Sequence, residues 1–326
     1  MKRALVTGIT GQDGTYLAQL LQSEGYQVFG LVREPDNPSL SGVKALLEGV
    51  SFVTGDLTDV ASLMRAIEDC QPDEIYNLAA VSHVAYSWKN AGLTTDVTGK
   101  GVLNILEAIR SVEGSRPGSI RFYQASSSEM FGKALTSPQN ELTAFWPRSP
   151  YGVAKAFGHY ITINYRESYD MHASTGILFN HESPRRRIEF VTRKIARGVA
   201  RVHAGLDTEL VLGNLDARRD WGYAPDYVRA MWLMLQQPQG DDYVIATGES
   251  HSIREFVEHA FAAVGITKWQ PFVSVDESFL RPADIDVLVG DASKAQRLLG
   301  WAPTKTFEEI VELMVAHEVN ELRKSD

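Results

Sequence analysis

The stretch Thr7-Gly8-Ile9-Thr10-Gly11-Gln12-Asp13-Gly14 decides the fold of this chain. It follows a short apolar run at residues 4–7 and opens a segment with helical spacing at residues 15–24. Glycines at these spacings permit a tight turn, and the start of the following helix can hold a pyrophosphate. A strand, a glycine-rich turn and a helix in this order therefore predict a dinucleotide site. Its predicted cofactor-binding residues are Gly8, Thr10, Gly11, Gln12, Asp13 and Gly14.

The first half of the chain continues this alternation of strand-like and helix-like segments. Further strands are predicted at residues 27–32, 51–54, 74–79 and 120–125, and helices at residues 60–70 and 98–112. The strands are continuous apolar runs, which is typical of strands buried on both faces of a parallel sheet. We therefore predict an α/β fold, namely a doubly wound parallel Rossmann sheet with a smaller C-terminal α/β substrate lobe.

The second half is less regular and sets the domain division. We assign residues 1–178 to the dinucleotide-binding domain and residues 179–326 mainly to the substrate lobe, with residues 219–248 returning to the first domain. We expect this lobe to cover the carboxyl edge of the sheet, because ligands bind there in such folds.

Composition narrows the class of protein. The chain has 326 residues and a net charge of -9, so it lacks the basic excess of a general nucleic-acid binder. Its single cysteine, Cys70, excludes a disulfide within the chain, and no apolar run approaches the length of a membrane span. We therefore expect a cytoplasmic protein. No histidine or cysteine cluster has metal-ligand spacing, so no metal is expected.

Two short segments carry groups suited to acid–base chemistry. Ser127 and Glu129 lie at the end of an apolar run, and Tyr151 and Lys155 open a helical stretch. Residues four apart share one face of a helix, so the lysine ammonium can stabilise a tyrosinate that acts as a base near neutral pH. The Ser127 hydroxyl can share the proton. Glu129 adds a second acid–base group, which favours dehydration in addition to hydride transfer.

The end of the second predicted strand bears on the choice of cofactor. Arg33 can pair with the 2′-phosphate of NADP, whereas Glu34 can accept a hydrogen bond from the ribose hydroxyl of NAD. We favour NADP over NAD because of the arginine. The other predicted cofactor contacts beyond the glycine-rich turn are Asp56, Leu57, Leu78, Ala79, Ala80, Ser82, Tyr151, Lys155 and His181.

Five longer motifs occur along the chain. They are Ser-Ser-Ser-Glu-Met-Phe-Gly at 126–132, Pro-Arg-Ser-Pro-Tyr-Gly-Val-Ala-Lys at 147–155, Phe-Asn-His-Glu-Ser-Pro at 179–184, Phe-Val-Thr-Arg-Lys at 190–194 and Arg-Asp-Trp-Gly at 219–222. Together they resemble the extended short-chain dehydrogenase/reductase family and, in its nucleotide-sugar branch, the GDP-mannose 4,6-dehydratases. The resemblance covers essentially the whole chain.

The resemblance implies a redox-neutral dehydration of GDP-D-mannose to GDP-4-dehydro-6-deoxy-D-mannose with tightly bound NADP. Tyr151 would be the base for hydride transfer, and Lys155 would lower its pKa and hold the nicotinamide ribose. Ser127 stands where the family usually has threonine. Glu129 would remove the C5 proton and protonate the leaving C6 hydroxyl.

The resemblance also implies how the substrate is held. The predicted substrate-binding residues are Ser82, Ser87, Ser128, Glu129, Asn180, Lys194, Arg219, Arg281 and Asp284. For Ser82 and Ser87, ordinary loop capping is an equal alternative. The chain departs from the family pattern at Arg33, which stands alone where the family has two adjacent arginines, and at Asp284, where the family has glutamate. A homodimer or homotetramer is implied, built on the helices at residues 98–112 and 151–169.

Alternatives remain open at this stage. The chain can be a dehydratase of another GDP-sugar, or a 4-keto reductase or C4 epimerase of nucleotide sugars. A non-catalytic nucleotide-binding regulatory protein is a further class, although such chains generally lose the tyrosine or the lysine. We interpret His83 and His181 as structural or pocket-lining residues, and the run at residues 185–187 as a solvated loop.

Overall fold

Seven parallel strands form the central sheet, seen in a computed structural model that describes residues 1–34, 38–114, 118–276 and 287–325. In chain order the strands of the structure are β1 (Arg3–Thr7), β2 (Gln27–Val32), β3 (Ser51–Thr54), β4 (Glu74–Asn77), β5 (Arg121–Ser127), β6 (Ala173–Leu178), β7 (Asn180–Glu182), β8 (Leu210–Leu212), β9 (Arg218–Arg219), β10 (Trp221–Tyr223), β11 (Asp242–Ile245), β12 (His251–Ser252), β13 (Val273–Val275) and β14 (Val287–Leu288). The large sheet has the order β11-β6-β5-β4-β1-β2-β3, and each of its pairings is parallel.

Helices cover both faces of this sheet. They are α1 (Gln12–Ser23), α2 (Pro38–Ser41), α3 (Val60–Cys70), α4 (Val84–Lys89), α5 (Ala91–Thr94), α6 (Gly101–Glu113), α7 (Pro150–Tyr169), α8 (Val191–His203), α9 (Ala224–Gln236), α10 (Ile253–Ala262), α11 (Ser293–Leu299) and α12 (Phe307–Ser325). The predicted doubly wound α/β class is confirmed. From β1 the chain adds β2 and β3 on one side of the sheet and then adds β4 and later strands on the other side. Open α/β sheets bind ligands at such a point, where the order of addition reverses.

Burial of both strand faces explains why the apolar runs are continuous. All six residues of β6 are buried, whereas the edge strand β3 is largely exposed. One core cluster joins the sheet to α1, α9 and α11, and a second joins it to α3 and α6 on the opposite face. The chain therefore returns to the large sheet twice after β7, first with α9 and β11 and then with α11.

A smaller group of elements stands on the carboxyl side of the sheet. Helices α8, α10 and α12 share a core in which Trp221 stacks on Phe307. Short strand pairs complete this lobe, with β10 beside β7 and β9 between β12 and β14. Because β7 follows β6 after a single residue, the lobe begins directly at the ligand-binding edge of the sheet.

Several element boundaries differ from the predicted ones. Helix α1 begins at Gln12 instead of residue 15, because Gly11 has the extended backbone of an N-cap and the helix starts within the glycine-rich turn. Strand β4 ends at Asn77, two residues early. The predicted helix at 98–112 is longer, since residues 91–113 run continuously through a π-helical segment at Thr95–Lys100.

Candidate active site

The glycine-rich turn meets strand β4 closely. Gly8 has a positive φ of 68°, and a methyl group there would come within 2.8 Å of the Ala79 nitrogen. The amides of Leu78 and Ala79 donate to the Thr7 hydroxyl at 3.1 and 3.0 Å, which fixes the turn against the next strand. The N-cap of α1, Gly11, has no side-chain cap. The first-turn amides of α1 are therefore suited to an anion.

A cleft of about 480 Å³ opens at the ends of β2 and β3. Arg33 and Glu34 are exposed at its rim. The Asp56 carboxylate accepts hydrogen bonds from the amide and hydroxyl of Thr58, and the Asp59 carboxylate caps α3 through Ala61. Arg33 and Glu34, which are predicted to distinguish NADP from NAD, thus lie at a cavity. The neighbouring carboxylates of Asp56 and Asp59 are hydrogen-bonded within the chain.

The remaining predicted contacts around this cleft differ in exposure. Leu57 is buried, and its carbonyl oxygen accepts a hydrogen bond from Asn104. Ala79 and Ala80 are half-buried, and Ser82 is exposed at the same edge of the sheet. Thr10 is half-buried in the turn itself. These residues are consistent with a cofactor lying along the carboxyl ends of β1, β3 and β4.

The predicted acid–base group comes together at the end of β5. The Ser127 hydroxyl hydrogen-bonds to Tyr151 and also accepts from the Glu129 amide at 3.3 Å. Lys155 is buried, and its ammonium donates to the Ala125 carbonyl oxygen at 2.7 Å. Glu129 is 9% exposed on the turn that follows the strand.

The start of helix α7 is fixed by several caps. The Ser149 hydroxyl accepts from the Gly152 amide, and Pro150 at the first turn has no N–H to satisfy. The Ser87 hydroxyl accepts from the Tyr151 amide at 3.3 Å and donates to the Val84 carbonyl oxygen. Ser87 is fully buried and its two hydrogen bonds are with backbone groups, and its contact with substrate stays a prediction. Its hydroxyl holds α4 against α7.

The electrostatics of Tyr151 differ from the prediction. Burial raises the pKa of Tyr151 to about 12; the Ser127 hydrogen bond and the Arg186 charge oppose this, and the Glu129 charge adds to it. Burial lowers the pKa of Lys155 to about 8. The expected lowering of the Tyr151 pKa by Lys155 is therefore not found, because the ammonium is directed to Ala125 and desolvation dominates.

Three predicted cofactor residues are bonded mainly to one another. His181 lies 2.9 Å from the Asp13 carboxylate through Nε2, and Gln12 donates to the His181 carbonyl oxygen at 3.0 Å. His181 is buried and stacks on Tyr227 with ring centroids 4.5 Å apart. These side chains join the glycine-rich turn to β7.

The predicted substrate residues spread over the sheet edge and the lobe. Ser128 is buried beside Glu129, and Asn180 is half-buried at the start of β7. Lys194 is half-buried on α8, where burial lowers its pKa, and Arg219 is buried on β9. The predicted Arg281 and Asp284 lie outside the described residues.

The site belongs to a known family. The family described as GDP-mannose 4,6 dehydratase matches residues 5–314. The chain is a member of this family. GDP-mannose 4,6 dehydratase 1 of Arabidopsis thaliana is 49% identical over 100% of this chain and 91% of its own length. The Homo sapiens GDP-mannose 4,6 dehydratase is 46% identical over 98% of this chain and 92% of its own.

Solved structures extend the comparison to relatives with other chemistry. UDP-glucose 4-epimerase of Thermus thermophilus, in complex with NAD, has a TM-score of 0.81 and 28% identity to this chain. The alignment covers 97% of this chain and 98% of the epimerase. The dehydratase family therefore shares its architecture with nucleotide-sugar epimerases, and fold alone does not separate the two activities.

The prediction of a solvated arginine loop is wrong for two of its three residues. Arg185 stacks on Tyr16 at 3.8 Å and hydrogen-bonds to α1, and Arg186 stacks on Phe190 at 3.7 Å. Only Arg187 is exposed as expected. The charge of Arg186 reaches Tyr151, so this dehydratase-family chain has a cationic group at its site that sequence reasoning missed. The sequence signal that could have indicated this pairing of Arg186 is its i,i+4 spacing from Glu182.

The described residues hold neither a metal-ligand cluster nor a membrane-spanning helix. Residues 1–34, 38–114, 118–276 and 287–325 contain no group of three or more His, Cys, Asp or Glu side chains placed to hold a metal ion. Within the same ranges, none of the helices has both the length and the apolar character needed to span a membrane.

Proposed function

We propose that the chain dehydrates GDP-D-mannose to GDP-4-dehydro-6-deoxy-D-mannose while holding NADP tightly. The observation that carries this proposal is the position of Glu129. Its carboxyl group lies on the turn directly after β5, two residues from the hydroxyl that bonds to Tyr151, and its charge acts on Tyr151. Hydride transfer alone needs the Ser–Tyr–Lys group, whereas loss of water needs a further acid–base group. Membership of the dehydratase family supports the same reaction.

The residues around the glycine-rich turn fit a nicotinamide dinucleotide. Gly8 lets the turn lie directly against the backbone of Ala79, and the start of α1 offers amides to a pyrophosphate. A nicotinamide bound along this edge would take a hydride from C4 of the sugar and later return it to C6. The relative from T. thermophilus is named in complex with NAD, which supports this class of cofactor.

The chain's own residues move the protons. We propose that Tyr151 acts in its ionised form: the tyrosinate takes the C4 hydroxyl proton as the hydride leaves, with Ser127 sharing that proton, and becomes a neutral phenol. Burial opposes the ionised form, and the Ser127 hydrogen bond and the Arg186 charge favour it. The Lys155 ammonium lies 5.7 Å from the centroid of the Tyr151 ring, and we propose that it holds the nicotinamide ribose there. Glu129 then removes the proton at C5, which the C4 ketone acidifies, and gives it to the departing C6 hydroxyl.

The diphosphate of the substrate requires cations on the lobe. We propose that Lys194 and Arg219 bind it, with Asn180 donating a hydrogen bond from the start of β7. Lys194 and Arg219 come from different elements of the lobe that stands over the sheet edge. Arg281 and Asp284 remain predicted contacts of this kind.

The choice of cofactor rests on Arg33. We propose NADP because this guanidinium is exposed at the rim of the cleft beyond β2. Arg33→Ala should weaken NADP binding about tenfold to a hundredfold and leave NAD binding nearly unchanged, as expected when a charged phosphate contact is lost. If Glu34→Gln instead weakens NAD binding while Arg33→Ala changes nothing, the chain uses NAD. Titration of both cofactors with each variant decides the matter.

We also propose that the chain forms a homodimer or homotetramer through α6 and α7. Val153, Phe157 and Tyr160 lie at i, i+4 and i+7 on α7 and are all exposed. Such a stripe is apolar enough to pack against the same stripe of a second copy across a two-fold axis. Phe157→Glu should lower the mass measured by light scattering to that of a monomer.

For the domains, we propose that residues 1–178 form the dinucleotide-binding unit and residues 179–326 mainly the substrate lobe, with residues 219–248 belonging to the first. The position of β11 in the large sheet supports the return of this segment. The packing of α11 against the same core favours a second, shorter return.

The first experiment is incubation of the purified protein with GDP-mannose and NADP, without reduced cofactor, followed by mass spectrometry of the sugar. Loss of one water with unchanged cofactor redox state is expected. An unchanged sugar mass would exclude GDP-mannose as substrate. A panel of nucleotide sugars with and without NADPH then separates a dehydratase of another GDP-sugar from a 4-keto reductase or a C4 epimerase.

A further inference from the structure

Four residues form a contact between the glycine-rich turn and strand β7, here called the glycine-loop contact. It consists of Gln12 and Asp13 with His181 and Ser183. Gln12 donates to the His181 carbonyl oxygen at 3.0 Å and accepts from the Ser183 hydroxyl at 2.8 Å. The Asp13 carboxylate lies 2.9 Å from His181 Nε2. Two consecutive side chains of the turn are thus bonded to one short segment of the lobe.

The imidazole of His181 is held on both edges by acceptors. Nδ1 lies 2.7 Å from the Phe179 carbonyl oxygen, and Nε2 faces Asp13. A ring with two acceptors is best satisfied when both nitrogens carry protons, so His181 and Asp13 form an ion pair. Burial is the largest single influence on both groups and favours their neutral forms. The attraction between the two groups and their hydrogen bond together outweigh burial, so the pKa of His181 is raised and that of Asp13 is lowered. The stacked Tyr227 closes the other side of the ring.

An aspartate at this place is not explained by attraction to a ligand. The turn precedes a helix whose start favours anions, and a carboxylate there repels a pyrophosphate. His181 offsets that charge. We therefore explain the Asp13 carboxylate by its bond to His181, which fixes the turn, and not by attraction of a ligand.

The inference rests on the proposed function, because that reaction requires the cofactor to stay bound until the hydride has returned to the sugar. Oxidation at C4 breaks a C–H bond, transfers two electrons and one proton to the cofactor as hydride, and gives the hydroxyl proton to Tyr151. Water is lost before the hydride returns to C6. If reduced cofactor left in between, the sugar would remain oxidised and no second substrate would restore the balance.

We propose that the glycine-loop contact is a positioning device that keeps the cofactor bound between the two hydride transfers. Gln12 and Asp13 act through the backbone of the turn, which they hold against β7, and they are positioning residues. Because β7 belongs to the lobe that holds the substrate, the contact also ties cofactor retention to the substrate side of the site.

The test uses the full-length protein and NADPH as the probe, and dissociation is followed by fluorescence in stopped flow. Asp13→Ala removes the ion pair together with a negative charge, so a purely electrostatic role predicts tighter binding, whereas a positioning role predicts faster release. Gln12→Ala removes the neutral part of the contact. Asp13→Asn keeps a hydrogen bond to a neutral His181 and serves as the conservative rescue. Ser252→Ala removes the N-cap of α10 in the lobe and is the control for simple loss of stability.

The expected result is that Asp13→Ala and Gln12→Ala release NADPH at least about tenfold faster than the parent protein. During turnover of GDP-mannose these variants should liberate free NADPH, seen by its near-ultraviolet absorbance, with an equal amount of oxidised sugar. Asp13→Asn should recover most of the retention, and Ser252→Ala should lower only the melting temperature.

Unchanged or slower release from Asp13→Ala in a folded protein would overturn the inference, as would equal effects of Ser252→Ala. Failure of the proposed function is a separate result, because the parent protein would then leave the mass of GDP-mannose unchanged whether or not it retains NADPH.

Discussion

The guanidinium of Arg186 lies 3.2 Å from the carboxylate of Glu182, measured from Nε to Oε2, and forms an ion pair with it. The Glu182 side chain is 1% exposed and also accepts a hydrogen bond from Thr192. Desolvation raises the pKa of Glu182, and the Arg186 charge opposes the rise. Arg186 thus neutralises the buried Glu182 carboxylate, and its charge also acts to lower the pKa of Tyr151.

Removal of that arginine should destabilise the fold. Arg186→Ala leaves Glu182 buried without its cation and is expected to lower the free energy of unfolding by about 3 kcal/mol. Arg187→Ala removes an exposed pair with Glu189 and should cost less than about 0.5 kcal/mol. Urea unfolding of the two variants measures the difference. Equal losses would show that the Glu182 pair does not stabilise the lobe.

Two glycines with positive φ should behave differently when a methyl group is added. Gly8→Ala places Cβ against Ala79 and should abolish cofactor binding. Gly25→Ala has the same backbone strain, with φ of 79°, but nothing lies within 4 Å of its Cβ. It should lower stability by about 1 kcal/mol and leave cofactor binding unchanged. Cofactor titration of both variants tests this, and normal binding by Gly8→Ala would argue against the close approach.

Glu129→Gln should separate dehydration from hydride transfer. The amide keeps the size of the side chain but cannot take the C5 proton, so water loss should fall by at least about 100-fold. Exchange of the C5 proton with D₂O should disappear as well, measured by mass spectrometry. The exposed Glu249→Gln is the matched control and should retain full activity. Retained C5 exchange in Glu129→Gln would assign the base to another residue.

His159 should impose a pH dependence on stability. Burial lowers its pKa to about 4, with Asp242 and Arg166 as the charged groups that act on it. The ring therefore stays neutral in the fold, while the unfolded chain takes up a proton near pH 6.5. Stability attributable to this group is present above pH 6.5 and is lost as the pH falls from 6.5 to about 4, by up to about 3 kcal/mol.

The matching variant is His159→Gln, which keeps a polar group beside Ser126. It should lose less stability than the parent protein between pH 6.5 and 4.5, measured by urea unfolding at several pH values. Parallel curves for the two proteins would show that His159 is not the group responsible.

The sequence by itself determined the elements and their order. The glycine-rich turn after β1, the apolar runs and the i,i+4 spacing of Tyr151 and Lys155 are local patterns, and local backbone geometry follows from residues close in the chain. The Rossmann sheet, the place of the cofactor turn and the grouping of Ser127 with Tyr151 could therefore be predicted, although the exact start of α1 could not.

Only the tertiary structure decided the environment of the same side chains. Asp13 and His181 are 168 residues apart in the chain, and nothing in either local pattern pairs them. The sign of the Tyr151 pKa shift, the burial of Arg186 and the structural use of the Ser87 hydroxyl likewise depend on segments folded over from elsewhere. Desolvation and charge depend on neighbours in space, and those neighbours exist only once the lobe has packed on the edge of the sheet.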